Sequence, residues 1–224
     1  MIKNISNLGD AALYCDFGSD VNKKINSEVI KYFNTIKEQN INGINNLTPS
    51  YNKLIISYDL KVTNYKEIKD KIEKLNVAEA LKTNNKKIEI PVCCDPSFSL
   101  DMERLENKLN LTKEKILENF FNKEFFCYMT GFIAGMPFLG DLDENMRVQR
   151  LETPRVKVPK GSVGITEQFA DIYTFESPGG WNIIGNTPLE VFDSSKEIDP
   201  NLINPGDTVK FKQISLEEYK NYNE

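Results

Sequence analysis

The sequence of 224 residues contains no histidine. That absence removes Ser-His-Asp and Cys-His machinery from the chain's own repertoire, because both need an imidazole to move a proton. It also removes any histidine-ligated metal site. Acid–base work therefore falls to Asp, Glu, Lys or Tyr, or to residues of a partner. The four cysteines are Cys15, Cys93, Cys94 and Cys127. Their spacing matches no zinc-ligand pair, so they read as reduced structural thiols and no metal site is expected.

Other features are missing as well. No apolar run approaches the ~18–20 residues of a membrane span, so no membrane partner is expected. The opening stretch MIKNISNLGDAALYCDFG has no basic region followed by an apolar core, and a cytoplasmic location is the expectation. Cations are not in excess: 28 Lys and Arg face 33 Asp and Glu, for a net charge of −5. Clustered cations are what phosphate backbones require, so nucleic acid is not an expected partner. Neither G-x-G-x-x-G nor GK[ST] occurs, which excludes the usual phosphate-cradling loops.

What is present divides into two segments with a boundary placed after residue 85. Residues 1–85 read as a small α+β domain. "AALYCDFG" (11–18) reads as a strand ending at Gly18. Residues 22–39 carry Ile25, Val29, Ile30, Phe33 and Ile36 at helical spacing. Residues 41–60 read as turn, strand, turn, strand, with "KLIISYDL" the clearest strand. Residues 64–75 place Ile68, Ile72 and Leu75 on one face, with Asn64 as N-cap. The order β-α-β-β-α predicts one sheet with helices on one side.

Residues 86–224 change in character along their length. "TNNKKIEIPV" (83–92) places polar residues before a strand. "SLDMERLENKLN" and "TKEKILENFFNKEF" read as helices, with Ser99 and Thr112 as N-caps. From Gly131 to Pro188 the chain holds eight of its 12 glycines and five of its 10 prolines. Between them lie short β-type pieces: "RVKVP", "SVGIT", "DIYTFES", "WNIIG", "LEVFD" and, further on, "DTVKFKQIS". Short strands separated by Gly/Pro turns predict a β-barrel or sandwich. The polar tail "EEYKNYNE" reads as frayed.

Three stretches are candidates for chemistry. In "GFIAGMPFLGDL" (131–142), the glycines suit either a tight loop packed on the barrel or a backbone lining for a small ligand. "DLDENMRVQRLE" (141–152) imitates a calcium loop, but position 6 is Met146 rather than the glycine that the sharp turn needs. "ETPRVKVPKGSVGI" (152–165) groups Arg155, Lys157 and Lys160 near Ser162, as a solvated strand face or as a carboxylate-recognition group. The single tryptophan, Trp181, follows Ser177-Pro178-Gly179-Gly180. Either the turn bends around a core ring, or its N–H groups face an anion.

Taken together, "GDAALYCDFG", "PSYNKLIISYD", "YMTGFIAGMPFLGDLD", "TPRVKVPKGSVGI", "IYTFESPGGWNIIGNTPLEVFD" and "NPGDTVKF" resemble the allophanate hydrolase subunit 1 family. That family includes the 5-oxoprolinase B subunits and KipI-like kinase inhibitors. The sequence is also similar to one half of the carboxyltransferase portion of urea carboxylase. The resemblance spans nearly the whole chain and implies α+β class: a small N-terminal α+β domain followed by a C-terminal cyclophilin-like β-barrel.

The resemblance implies the B subunit of an ATP-dependent 5-oxoprolinase complex. Such a complex converts 5-oxo-L-proline to L-glutamate, and this subunit would be inactive alone. The 5-oxoprolinase subunits C and A are the implied partners, and ATP and Mg belong to the complex rather than to this chain. The implied substrate-binding residues are Gly131, Phe132, Pro137, Arg155, Ser162, Ser177, Gly179, Gly180 and Trp181, with Arg155 meeting the substrate carboxylate; no catalytic residue is assigned. Two alternative roles come with the resemblance: a KipI-type inhibitor docking on a sporulation histidine kinase, and a carboxyltransferase-like component acting on a urea-type substrate. The second needs a biotin carrier, and the chain has no Met-Lys-Met lysine site. The sequence departs from the family pattern at Phe120 (a histidine position), Ala134-Gly135-Met136, Phe169-Ala170-Asp171 and Asn186.

Overall fold

The structure, a computed structural model, describes residues 1–77 and 85–222. It divides into two compact units, Met1–Asn84 and Asn85–Glu224. Residues 83–84 of the polar stretch expected before the barrel lie outside the described residues.

The first unit is a four-stranded antiparallel sheet with two helices. Its strands are β1 (Asn4–Asn7), β2 (Ala12–Asp16), β3 (Ile44–Pro49) and β4 (Lys53–Tyr58), in the order β1-β2-β4-β3. Alternation decides the face: Leu13 and Cys15 of β2 and Leu54, Ile56 and Tyr58 of β4 are buried. Helix α1 (Lys23–Gln39) brings Val29 and Ile36 to this core, and α2 (Tyr65–Glu73) brings Ile68 and Ile72. Each such side chain contributes about 1.5–3 kcal/mol on full burial. The caps are local. Asn22 accepts from the Ile25 N–H at 2.9 Å, and Asn64 from that of Glu67 at 3.1 Å. The sequence pattern does not announce β1, which is short and mostly polar, with only Ile5 fully inside the core.

The second unit is a closed seven-stranded barrel. Its strands are β5 (Lys87–Cys93), β6 (Glu124–Thr130), β7 (Pro137–Gly140), β9 (Ser162–Thr166), β10 (Phe169–Ile172), β12 (Asn182–Asn186) and β13 (Thr208–Ile214). They close in the order β10-β7-β6-β13-β5-β12-β9. Strands β5 and β13 run parallel, paired from Thr208↔Lys87 to Ile214↔Cys93. A separate ribbon joins β8 (Arg155–Val158) to β11 (Ser177–Gly179). Helices α3 (Met102–Leu109) and α4 (Lys113–Phe121) pack on β12 and β13 respectively. Phe120 stacks on Phe211 with centroids 4.8 Å apart and lies 5.2 Å from Phe125. Phe120, the departure from a histidine position, is thus part of an apolar core that would penalise an unpaired imidazole.

Several expectations are corrected here. Helix α4 stops at Phe121 and Glu124 opens β6, because Phe125 turns into the core on a strand rather than on a further helical turn. Ser99 is no N-cap: its hydroxyl donates to the Ile184 carbonyl, and α3 starts after Asp101. "DIYTFES" is a strand only as far as Ile172. "LEVFD" is no strand: only an isolated bridge pairs Phe192 with Asn201. The tail carries helix α5 (Leu216–Lys220), started by a full capping box between Ser215 and Glu218.

Candidate functional site

The candidate site lies on the outer face of the barrel wall made by β7, β10, β9 and β12. Ala170 and Ile172 of β10 point into the barrel core, as do Val163 and Ile165 of β9. With side chains alternating, Asp171 and Gly164 share the opposite face, where they are register partners. A Cβ on Gly164 would stand 2.6 Å from Asp171 Oδ1 and 3.0 Å from Trp181 Cβ. The glycine therefore makes room for a carboxyl group in the wall. Its N–H donates to Asp171 Oδ1 at 3.0 Å. Asp171 is fully buried and its Oδ2 has no partner. Burial pushes this carboxyl well above the usual carboxylate range, against the opposing pull of the Gly164 N–H and the Arg150 charge.

Beyond the end of β10, Tyr173 is buried with its hydroxyl where a Cβ on Gly179 would sit, 2.1 Å from it. Burial raises the Tyr173 phenol and Asp171 adds to that. The Trp181 N–H, Arg150 and Arg155 oppose it. Trp181 packs edge-on to Phe138 at 5.5 Å, and Phe138 to Phe169 at 5.9 Å. The segment 148–154 lies over this face. The Val148 carbonyl accepts from the Glu167 N–H, and the Leu151 N–H donates to the Gly180 carbonyl.

The chain has only four arginines, Arg104, Arg147, Arg150 and Arg155; lysine supplies its other cationic side chains. Three of them converge here. Arg155 gives both ends of its fork to Asp101, at 2.9 and 2.6 Å. Asp101 is buried and also accepts from the Ile183 N–H at 2.7 Å. Arg104 donates to Asn182 Oδ1 at 2.9 Å, and Asn182 is in turn held by the Gln149 and Ile165 carbonyls. Arg150 lies over the turn, its Nε 3.6 Å from where a Gly180 Cβ would be. Among the described residues its guanidinium makes no hydrogen bond or ion pair.

The residues singled out from sequence fall into two groups. Arg155, Ser177, Gly179, Gly180 and Trp181 come together on this face. Gly179 is Arg155's register partner, and Ser177 keeps a buried hydroxyl with no partner. Pro137 is buried at the start of β7, beside Phe138. Ser162 is buried in β9, opposite Asn186, with its carbonyl accepting from the Tyr173 N–H. Gly131 closes the β6–β7 loop by donating to the Met136 carbonyl, and Phe132 points outward, 69% exposed at φ 72°. Arg155, expected to meet a substrate carboxylate, already holds an internal one. In the calcium-like loop, Asp141 accepts from the Tyr128 hydroxyl at 2.7 Å and Asp143 pairs with Lys123. Sequence reasoning passes over Asp101, Arg150 and Tyr173, and it marks Asp171 only as a departure from the family pattern. The scarcity of arginine is the available signal for Arg150, and an acid inside "FADIY" is the signal for Asp171.

Comparison with known proteins adds to this geometry. The sequence profile of the family described as "Carboxyltransferase domain, subdomain C and D" matches residues 3–203. The 5-oxoprolinase B subunit of Bacillus subtilis (strain 168) is 34% identical over 233 residues, covering 98% of this chain and 96% of that protein. The crystal structure of TTHA0988 superposes with a TM-score of 0.81 at 27% identity, covering 92% of this chain and 40% of that one. The Kluyveromyces lactis urea carboxylase shares the fold, with a TM-score of 0.80 at 18% identity, over 96% of this chain and 22% of that one. The chain thus spans less than half the length of these two solved proteins.

Proposed function

The chain belongs to the family of the carboxyltransferase domain, subdomains C and D, and from that premise we propose that it is the B subunit of an ATP-dependent 5-oxoprolinase. The observation that carries the reading is the end-to-end match to a protein of that name, 98% of one chain against 96% of the other. The proposed reaction opens the lactam of 5-oxo-L-proline to L-glutamate. An amide carbonyl is a poor electrophile, so ATP would activate its oxygen by phosphorylation. Water would then add to the activated carbon, the ring C–N bond would break with the nitrogen leaving as the amine, and a second water would release phosphate from the resulting acyl phosphate. The described residues hold no grouping of three or more Cys, Asp or Glu suited to a metal ion. In this reading ATP and Mg belong to the assembled complex, with subunits A and C as partners, in the cytoplasm. No described helix is long and apolar enough to cross a membrane.

Within that complex the outer barrel face offers what a small polar substrate needs. It has a guanidinium, that of Arg150, uncommitted among the described residues, beside the Gly179-Gly180 turn and the edge-on pair of Phe138 and Trp181. The test is co-expression with the candidate A and C subunits, followed by 5-oxoproline-dependent release of phosphate from ATP. Turnover that requires this chain is expected. A stable complex without such turnover would reject the reading.

A further inference from the structure

The unassigned element of the site is Arg150. It is exposed, it overhangs the Gly179–Trp181 turn, and its fork is uncommitted among the described residues. The neighbouring arginines are not available: Arg155 is filled by Asp101 and Arg104 by Asn182. A free planar fork suits a carboxylate, which it can bind through two parallel N–H donors. Beneath it is the second observation, the Asp171 carboxyl, fully buried with one oxygen unpartnered.

We propose that Arg150 takes the ligand's carboxylate above the Gly179–Trp181 turn, and that Asp171 is the positioning residue that leaves its fork uncommitted. The logic is electrostatic. An ionised Asp171 would attract the Arg150 charge inward and compete with the ligand. A neutral Asp171 leaves the guanidinium facing solvent. Burial favours the neutral form, in which the proton would sit on Oδ2 because the Gly164 N–H holds Oδ1 as an acceptor. The charged and titratable groups facing this pair are Tyr173 from the end of β10, Arg155 with its partner Asp101 from β8 and the turn before α3, and Arg104 from α3. A ligand carboxylate on Arg150 would further favour the protonated Asp171, so binding weakens as pH rises and Asp171 ionises. The identity of the ligand, 5-oxo-L-proline, rests on the lactam-hydrolase reading. The role of Arg150 needs only a small carboxylate.

The test is calorimetric titration of the full chain, alone and co-purified with its partner subunits. The probes are 5-oxo-L-proline, L-glutamate and 2-pyrrolidinone, which lacks the carboxylate. Arg150→Gln should weaken 5-oxoproline binding by about tenfold or more, the loss of a charge-assisted contact, without lowering the melting temperature. Arg150→Lys should recover part of it, and pyrrolidinone binding should not change. Asp171→Asn should bind like wild type at low pH and lose the decline at high pH. Arg150→Gln binding 5-oxoproline as wild type does, with turnover intact, would overturn the inference and leave the oxoprolinase reading standing. Arg150-dependent binding of glutamate but not of 5-oxoproline would uphold the inference and reject that reading. No binding of either carboxylate to chain or complex would overturn the inference, as would a pH decline that persists in Asp171→Asn.

Discussion

The two units of this chain are stabilised by different means. Among the described residues of the first unit the buried polar ones are amides and a hydroxyl, Asn26, Asn52 and Thr63. The two asparagines tie down nearby loops: Asn26 donates to the Ser50 and Tyr51 carbonyls, and Asn52 to those of Ser19 and Asp20. Its cationic side chains are all lysines. In the barrel unit the buried polar residues include three carboxyl groups, Asp101, Asp171 and Asp207, and it has all four arginines. Burying a charge is costly unless its partner is in place. A fold that only had to persist could have used the economical pattern of the first unit throughout. That two buried carboxyl groups, Asp101 and Asp171, and three of the four arginines gather on one barrel face is what makes that face the candidate site.

Substitutions can break this contrast or sharpen it. The largest effect is expected for Asp101→Ala. It strands the partly buried Arg155 fork and the Ile183 N–H together, and should cost about 3–5 kcal/mol in chemical denaturation. A cost under about 1 kcal/mol would mean that the pair is ornamental. In the first unit, Ile56→Ala opens a cavity in a fully buried position and should cost about 2–5 kcal/mol. Per folded molecule, its affinity for ligand should stay unchanged. An altered affinity would blur the division of labour between the units. Gly179→Ala drives a methyl toward the Tyr173 hydroxyl and should cost about 1–3 kcal/mol through overpacking.

The smallest effect is pH-dependent. The folded-state pKa of Asp171 lies above its unfolded value, so the folded protein binds the extra proton. Its contribution to stability is fully present below the unfolded pKa and is lost as pH rises through the folded one. Asp171→Asn should therefore match wild type in acid and melt higher than wild type in alkali. Parallel pH dependence of the two melting temperatures would show that folding leaves the Asp171 pKa at its unfolded value.

The sequence made much of the architecture legible, for physical reasons that differ between elements. Helices α1 and α2 announce themselves through Val29 and Ile36, and through Ile68 and Ile72, at helical period behind asparagine caps. The barrel strands stand between Gly and Pro turns. The Phe120-to-Phe126 region is ambiguous, since closely spaced phenylalanines fit a helix face and a buried strand equally well. The capping box Ser215–Glu218 is readable in the sequence, yet a polar tail masks it. At the site, the Gly-Gly-Trp turn is visible as punctuation. The commitment of Arg155 is not, because its partner Asp101 lies 54 residues away and only the closed barrel brings them together. Local pattern reports which residues are able to bind a carboxylate. It does not report which of them already has one.

The parallel pairing of β5 with β13 has a consequence for how the chain is made. The first strand of the barrel finds its long partner only in the last, with a single register pair to β12 on its other side. On the ribosome, β5 emerges first among the barrel strands, and neither of its edges has its barrel partner until β12 and then β13 follow. An exposed strand edge is a template for the wrong neighbour. The barrel is thus a structure whose ring closes in one late event, and its period of greatest exposure to aggregation ends only when Thr208–Ile214 has been released.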